Sequence, residues 1–284
     1  MRLQQVIQHI EDVSGIRIHR YQPVSGGDIN QAFRVTTKEG APLFLKHHEH
    51  PPEGMFEAEA RGLDLLHAAN SGLVIPSVIA CSAHYLLLEW IEEEPRSETS
   101  SKALGVGLVQ LHKTTDPCFG LDHDNYIGRL NQVNTSTEDW ADFFIRFRIE
   151  PQLKQAIDSS LLPSSLINNL DTLSARMPHL FPEEPPALLH GDLWSGNYFG
   201  TTNGRASVFD PAVYFGHREV DIAMTRLFGG FSSVFYQAYQ AAYPLESGWE
   251  QRLELWNLYP ILVHVNLFGG GYTSQAQRIL KTYG

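Results

Sequence analysis

The chain is poor in cysteine and in positive charge, and it holds no long apolar run. Its 284 residues include two cysteines, Cys81 and Cys118, too few for a disulfide framework or a zinc cluster. Lysine and arginine number 21 against 32 aspartates and glutamates, a formal net charge of −11. That balance argues against a nucleic-acid partner, which normally meets a basic stripe, but it leaves room for an anionic cofactor beside a metal. No apolar stretch approaches the length of a bilayer crossing, so a membrane partner is not expected. The N-terminus M-R-L-Q-Q-V-I-Q-H-I-E-D is too polar for a signal peptide. A soluble, cytoplasmic protein is the expectation.

What is present suffices for a packed fold. Hydrophobic residues make up 43% and charged residues 19%, which excludes a disordered chain. Leu3, Val6, Ile7 and Ile10 at helical spacing predict a short helix over 3–13. Q-A-F-R-V-T (31–36), P-L-F-L-K (42–46) and Y-L-L-L-E-W (85–90) read as strands, with a helix over about 55–69 between the last two. After E-E-E-P-R-S the pattern turns helical: through Leu104, Leu108 and Leu111, then around 139–158, 165–176, 219–228, 231–242 and 249–267. Two short strands are predicted within that region, A-L-L-H (187–190) and A-S-V-F-D (206–210). The predicted fold class is therefore α+β and two-lobed. A small β-rich lobe spans 1–91, and a larger, mainly helical lobe spans 92–284.

The chemistry gathers around residues 190–197, H-G-D-L-W-S-G-N. Asp192 precedes Asn197 by the spacing that separates a kinase's catalytic aspartate from its metal-binding asparagine. Asp210, in F-D-P at the end of the next strand, stands where a second metal ligand belongs. Alone, H-G-D could be a polar turn; the ordered set Asp192, Asn197, Asp210 argues for phosphoryl transfer.

Such a site also needs a lysine near the phosphates. Lys46 ends a predicted strand, and the next helix offers Glu57 or Glu59 as its partner. Phe56, Glu59, Leu63 and Leu66 share one stripe, whereas Glu57, Arg61 and Asp64 share the polar face. A carboxylate on an apolar stripe is costly unless paired, so Glu59 is the predicted partner of Lys46. S-G-G-D-I-N (25–30), with Gly26 and Gly27, lies where a phosphate-covering loop belongs, though an ordinary turn would read the same. H-H-E-H (47–50) is taken as a solvated loop, because its spacing does not turn three ligands to one face. D-H-D-N (122–125) lacks the glycine and terminal glutamate of a calcium loop.

Beyond these residues the sequence resembles the fructosamine/ketosamine kinase family. H-G-D-L-W-S-G-N, F-D-P-A-V-Y-F-G-H-R-E-V-D-I-A-M, L-F-G-G-F, M-F-E-A-E, L-L-L-E-W-I and I-G-R-L-N-Q-V-N carry the likeness over nearly the whole chain. The resemblance implies an aminoglycoside-phosphotransferase-like, protein-kinase-like fold. It implies ATP and Mg2+ as cofactors and phosphorylation of the C3 hydroxyl of a ketoamine, small or protein-bound, as a deglycation repair. It makes Asp192 the base, Asn197 and Asp210 the metal ligands, and Lys46 with Glu59 the phosphate holders. Glu89, Trp90 and Ile91 become the adenine hinge, Trp194 a wall of the sugar site, and Asp221 a buried brace for the catalytic loop. Some relatives carry cysteine after the paired glycines, where this chain has Asp28, which argues against redox control there. Two alternatives stand beside this reading: a kinase of the same fold acting on an aminoglycoside, choline or another alcohol, and a nucleotide-binding pseudokinase regulator. Oligomeric state leaves no trace in the sequence.

Overall fold

The computed structural model describes residues 1–24 and 30–284. Gly26, Gly27 and Asp28 of the glycine-rich segment lie outside the described residues. The N-terminal region is built on a five-stranded sheet of β1 (Ile18–Pro23), β2 (Gln31–Thr37), β3 (Pro42–His47), β4 (Val78–Ser82) and β5 (Tyr85–Glu89). They lie in the order β1-β2-β3-β5-β4 with every pair antiparallel.

Residues opposed across an antiparallel pair share a face, and successive residues alternate. Leu45 and its partner Leu87, with Tyr85, pack under Val6 and Ile10 of α1 (Leu3–Ser14). Phe44 opposes Leu88, and Lys46 opposes Leu86. Leu86 and Leu88 pack against Phe56, Leu63 and Leu66 of α2 (Met55–Ala68) on the other face. The pleat therefore puts Lys46 on the α2 side of the sheet, where the Glu59 stripe lies.

Helices dominate after residue 91: α3 (Glu98–His112), α4 (Trp140–Phe144), α5 (Glu150–Asp158), α6 (Leu166–Arg176), α7 (Glu219–Leu227), α8 (Ser233–Ala242), α9 (Trp249–Phe268) and α10 (Gly271–Tyr283). Three small antiparallel pairs lie among them: β6 (Asn125–Ile127) with β7 (Leu130–Gln132), β8 (Ala187–Leu189) with β11 (Tyr214–Gly216), and β9 (Tyr198–Thr201) with β10 (Arg205–Val208). No described helix is long and apolar enough to cross a membrane.

The elements depart from expectation in physically instructive places. β1 and β4 were not predicted: both are edge strands, largely exposed or interrupted by a register shift, so they carry no clean alternation. The helix expected over 139–158 contains a π-helical turn, Ile145–Ile149. That turn carries Arg148, wholly buried with its guanidinium 4.0 Å from the Tyr214 ring and 4.6 Å from that of Phe143. His47, expected in a solvated loop, is instead the buried last residue of β3, its Nε2 2.9 Å from the Met1 carbonyl. α10 follows Gly269 and Gly270, begins on a third glycine and carried no predicted boundary.

One buried charge ties α7 to α9. Glu219 has no exposed surface, and it accepts hydrogen bonds from Arg252 Nη2 at 2.5 Å, Arg252 Nε at 2.8 Å and Trp256 Nε1 at 2.8 Å. Burial alone would raise this carboxyl, but its Arg252 and Trp256 partners and nearby His217 outweigh that and hold it below the usual carboxylate range. A depressed folded pKa stabilises the fold above the unfolded pKa, and that gain is lost as pH falls through the folded value. Arg252→Ala should therefore cost about 3 kcal/mol near neutral pH by stranding the carboxylate. The gap from wild type should narrow towards acid as Glu219 is protonated. Urea unfolding at about pH 7 and about pH 4, below the ordinary glutamate value, checks this, and a gap that widens in acid would refute the assignment.

Candidate active site

The loop H-G-D-L-W-S-G-N leaves β8 and is pinned from beneath by its own backbone. Gly191 has φ +81°, and a Cβ there would lie 2.0 Å from the Ala212 carbonyl oxygen, so glycine is required on both conformational and steric grounds. Fully buried Asp221, on α7, accepts from the amides of His190 at 2.8 Å and Gly191 at 2.9 Å, and lies 3.2 Å from His112 Nε2. Burial alone would raise this carboxyl; the His112 contact, nearby His190 and the Gly191 amide bring it below its usual range instead. Burial lowers the pKa of His190, and its Nε2–H donates to the Phe209 carbonyl at 3.0 Å while Nδ1 faces the Asp192 amide at 3.3 Å. The loop is thus fixed to the segment before Asp210 by a neutral imidazole. Arg96, which sequence reasoning did not single out, donates to the carbonyls of Ser195 and, at 3.0 Å, Tyr198.

Five of the expected site residues meet around one cluster of charges. Lys46 Nζ lies 2.5 Å from Glu59 Oε1 and also bonds Asp210 Oδ1, joining strand, helix and the F-D-P segment. Burial would lower the Lys46 pKa, but the Asp210 and Glu59 charges reverse the direction and hold the ammonium protonated. The cost falls on the acids: burial, with the Asp210 charge, raises Glu59 against the pull of Lys46. Asn197 Nδ2 donates to Asp192 Oδ2 at 3.0 Å and to the Asp192 carbonyl at 2.9 Å. Asp192 is pushed up to about 7, by burial first and then by the Asp210 charge. Asp210 itself has φ +55°, a left-handed backbone rare for a non-glycine residue and typical of functional positions.

These side chains border a cavity of about 530 Å³, lined by Lys46, Glu59, Asp192, Trp194, Asn197 and Asp210. Trp194 is 38% exposed, packs edge-on to Phe228 at 6.1 Å and lies so close over Gly196 that a Cβ there would touch its ring. Glu89, Trp90 and Ile91 do not border this cavity. Glu89 ends β5 with its carboxylate on Ser77, and Trp90 lies under the Arg34 guanidinium at 4.7 Å. The far wall was not foreseen: Met224 and Phe228 come from α7 and its end, Pro260, Val263, His264 and Phe268 from α9, and Tyr272 from α10. The unpredicted β6–β7 hairpin contributes Asn125, Tyr126 and Ile127. Asn125, discarded with D-H-D-N, is a buried strut whose Nδ2 donates to the Val213 carbonyl at 2.7 Å.

The architecture is that of the protein-kinase-like phosphotransferases. An ADP-bound aminoglycoside phosphotransferase superposes with a TM-score of 0.62 at 14% identity over 99% of this chain and 98% of its own, a likeness of fold alone. The sequence goes further: the family model described as fructosamine kinase matches residues 2–283, and the chain belongs to that family. A "Probable ketoamine kinase" of Enterococcus faecium is 41% identical over 92% of this chain and 94% of its own. The chloroplastic protein-ribulosamine 3-kinase of Arabidopsis thaliana is 36% identical over 94% and 83%. The crystal structure of a "putative fructosamine-3-kinase" from Thermobifida fusca shares 33% identity, with a TM-score of 0.91 over 99% of both chains.

The brace is open to test. Asp221→Asn keeps the shape but replaces one acceptor oxygen by an NH2 group that faces backbone N–H donors. It should destabilise the protein by about 3 kcal/mol and lower turnover further than stability alone explains. Unfolding in urea, with kinetics at a temperature where the variant is fully folded, measures both; a variant with wild-type stability would remove the brace.

Proposed function

We propose that this protein transfers the γ-phosphate of ATP to the C3 hydroxyl of a ketoamine, small or protein-bound, in the cytoplasm. In this reading residues 1–91 hold the nucleotide, and 92–284 carry the base and the acceptor site. The observation that carries the reading is the convergence of Lys46, Glu59, Asp192, Asn197 and Asp210 on one cavity, in a chain of the fructosamine kinase family.

The donor set fits magnesium. Asp210 and Asn197 offer hard oxygen atoms, and two carboxylates, Glu59 and Asp210, share a single ammonium while a third, Asp192, borders the same cavity. Among the described residues no group of three His, Cys, Asp or Glu could hold a metal unaided. That suits an ion whose remaining ligands are nucleotide phosphates and water. When bound, Mg2+ would neutralise charge on the transferring phosphoryl group.

The chain's own residues do the rest. Lys46, fixed by Glu59, meets phosphate oxygens with a charge that burial cannot remove. Glu89, Trp90 and Ile91 meet adenine through backbone groups, and Gly26 and Gly27 belong to the loop over the phosphates. Asp192 accepts a hydrogen bond from the C3 hydroxyl, aligns its oxygen on the γ-phosphorus and takes the proton as the new P–O bond forms and ADP leaves. Asn197 holds Asp192 through its Oδ2, so the base does not swing away. Trp194 forms a wall of the sugar site. No observation favours an aminoglycoside or choline acceptor, or a pseudokinase, over this reading.

Asp192→Asn should lower kcat by about a thousandfold while the affinity for Mg-ATP changes little. Because it removes the repulsion from Asp210, the variant should be at least as stable as wild type, so lost turnover is not lost fold. Coupled ADP release with ribulosyl-lysine and fructosyl-lysine, beside nucleotide titration, measures these; near-wild-type turnover would sink the role of Asp192.

A further inference from the structure

Arg148 is a buried cation whose partners carry no negative charge. It has no exposed surface, and it donates to the Val133 carbonyl at 2.6 Å, the Phe147 carbonyl at 3.0 Å and Asn134 Oδ1 at 2.6 Å. Its Nε has no partner among the described residues. The faces of Phe143 and Tyr214 offset part of the lost hydration, but a buried charge with no carboxylate on it remains costly. The chain leaves the α-helical path to place it, on the π-turn Ile145–Ile149, and such turns are frequent at functional sites. Yet Arg148 does not border the active-site cavity.

Its reach is indirect. A guanidinium only donates, so Asn134 must turn its oxygen towards it. The Asn134 NH2 then faces the other way and donates to Asn125 Oδ1 at 2.9 Å. Gln132 Nε2 donates to the same oxygen at 2.7 Å. With its oxygen so engaged, Asn125 gives its NH2 to the Val213 carbonyl at 2.7 Å, and Gln132 Nε2 also reaches the Ala212 carbonyl at 3.1 Å. The Tyr259 hydroxyl donates to Gln132 Oε1 at 2.7 Å and fixes that amide in the same sense. All five side chains are buried. A donor-only group at one end and acceptor-only carbonyls at the other leave the three amides one consistent orientation. Hydrogen bonds aligned in this way strengthen one another in a low dielectric.

The two carbonyls lie two and three residues after Asp210, whose backbone is left-handed at φ +55°. The Ala212 amide is also held, by the His190 carbonyl at 2.9 Å. Whatever fixes Ala212 and Val213 therefore fixes where the Asp210 carboxylate stands against Lys46. Resting on the phosphotransfer reading above, we propose that Arg148 is a positioning residue for phosphoryl transfer. Through Asn134, Asn125 and Gln132 it sets the backbone of Ala212 and Val213, and so the placement of Asp210 as a metal ligand. Its charge is what orients the amides; a carboxylate in place of the Asn134 amide would satisfy that charge and break the chain.

Three variants test this. Arg148→Met removes the charge at similar volume. Asn134→Asp supplies the missing anion but has no NH2 for Asn125, whose oxygen then faces a carboxylate unless that amide turns and abandons Val213. Tyr259→Phe keeps its shape and removes one hydroxyl. Each is titrated with ADP by calorimetry, with and without Mg2+, and kcat is measured with ribulosyl-lysine, all on protein shown by urea unfolding to be folded. Wild type should bind ADP about tenfold more tightly with Mg2+ than without. Arg148→Met and Asn134→Asp should cancel most of that gain, leave metal-free ADP affinity unchanged and lower kcat about tenfold. Tyr259→Phe should shift both quantities in the same direction by about threefold. A merely structural Arg148 would change unfolding alone, so folded Arg148→Met or Asn134→Asp with wild-type Mg2+ gain and kcat would overturn the proposal. Should neither variant fold, wild-type values in Tyr259→Phe would overturn it. Absence of any Mg2+ gain in the wild-type protein would remove Asp210 as a metal ligand, and the proposal with it. Absence of wild-type turnover would sink the ketoamine reading, while the ADP titrations would still judge the network.

Discussion

The ammonium of Lys46 is the point on which the two halves of this protein are registered. It is buried at the end of β3, and a buried cation must be paired or give up its charge. Glu59 pairs it from α2 and Asp210 from the segment after β10, so one group joins a strand, a helix and a loop from opposite sides of the cleft. The pairing is over-supplied. Two carboxylates pair with one cation and a third, Asp192, lies close by; burial first, and the Asp210 charge besides, raises both Glu59 and Asp192. On the proposed reading, a cluster with surplus negative charge would take a further cation, which a polyphosphate carrying a divalent ion would supply. The same imbalance that costs folding energy would then prepare the cleft for that nucleotide.

Beneath that cluster, backbone geometry sets the position of the chemistry. Gly191 and Asp210 both occupy left-handed conformations, and His190 and Ala212 bridge the two segments: the His190 ring bonds the Phe209 carbonyl, and the Ala212 amide donates to the His190 carbonyl at 2.9 Å. Strain at Asp210 persists only because the surroundings over-determine it. Asp221 holds the catalytic-loop segment from α7 by satisfying the amides of His190 and Gly191, and Arg96 holds its other end by capturing the carbonyls of Ser195 and Tyr198. Four elements far apart in sequence therefore fix the two aspartates relative to each other.

Much of this was legible in the sequence because phosphoryl-transfer residues travel in short, spaced motifs. Asp192 and Asn197 are tied by loop length, and Glu59 was separable from Glu57 because helical periodicity put it on the apolar stripe. L-F-L-K and Y-L-L-L-E were legible as strands from their apolar runs, but their register was not, because the sheet is covered on both faces and neither run alternates. The edge strands β1 and β4 were not legible, since an edge strand exposed to water needs no alternating pattern. The π-turn at 145–149 was hidden for a different reason: it arises from burying Arg148 among aromatic rings, a tertiary demand that periodicity does not encode. Asn125 and Arg96 were invisible likewise, as both act through carbonyls distant in sequence.

The far wall of the cavity was the least legible part, and for a physical reason. Phe228, Phe268 and Tyr272 come from three elements; the first two read locally as aromatic residues at the end of a helix, and Tyr272 lies beyond the last predicted helix. Nothing in their spacing distinguishes a cavity wall from a core. The core of this region is itself aromatic, with Trp140, Phe144 and Trp256 packed together, so composition gives no contrast either. The contrast appears only as exposure: core rings are buried, and the wall is not. Residues that grip phosphates must satisfy fixed charge geometry and so keep fixed spacing. Residues that only present an apolar face are under no such constraint, and any helix that reaches the cavity can supply them. The far wall can therefore change by substitution on α9 and α10 without disturbing the charges at Lys46, Asp192 and Asp210.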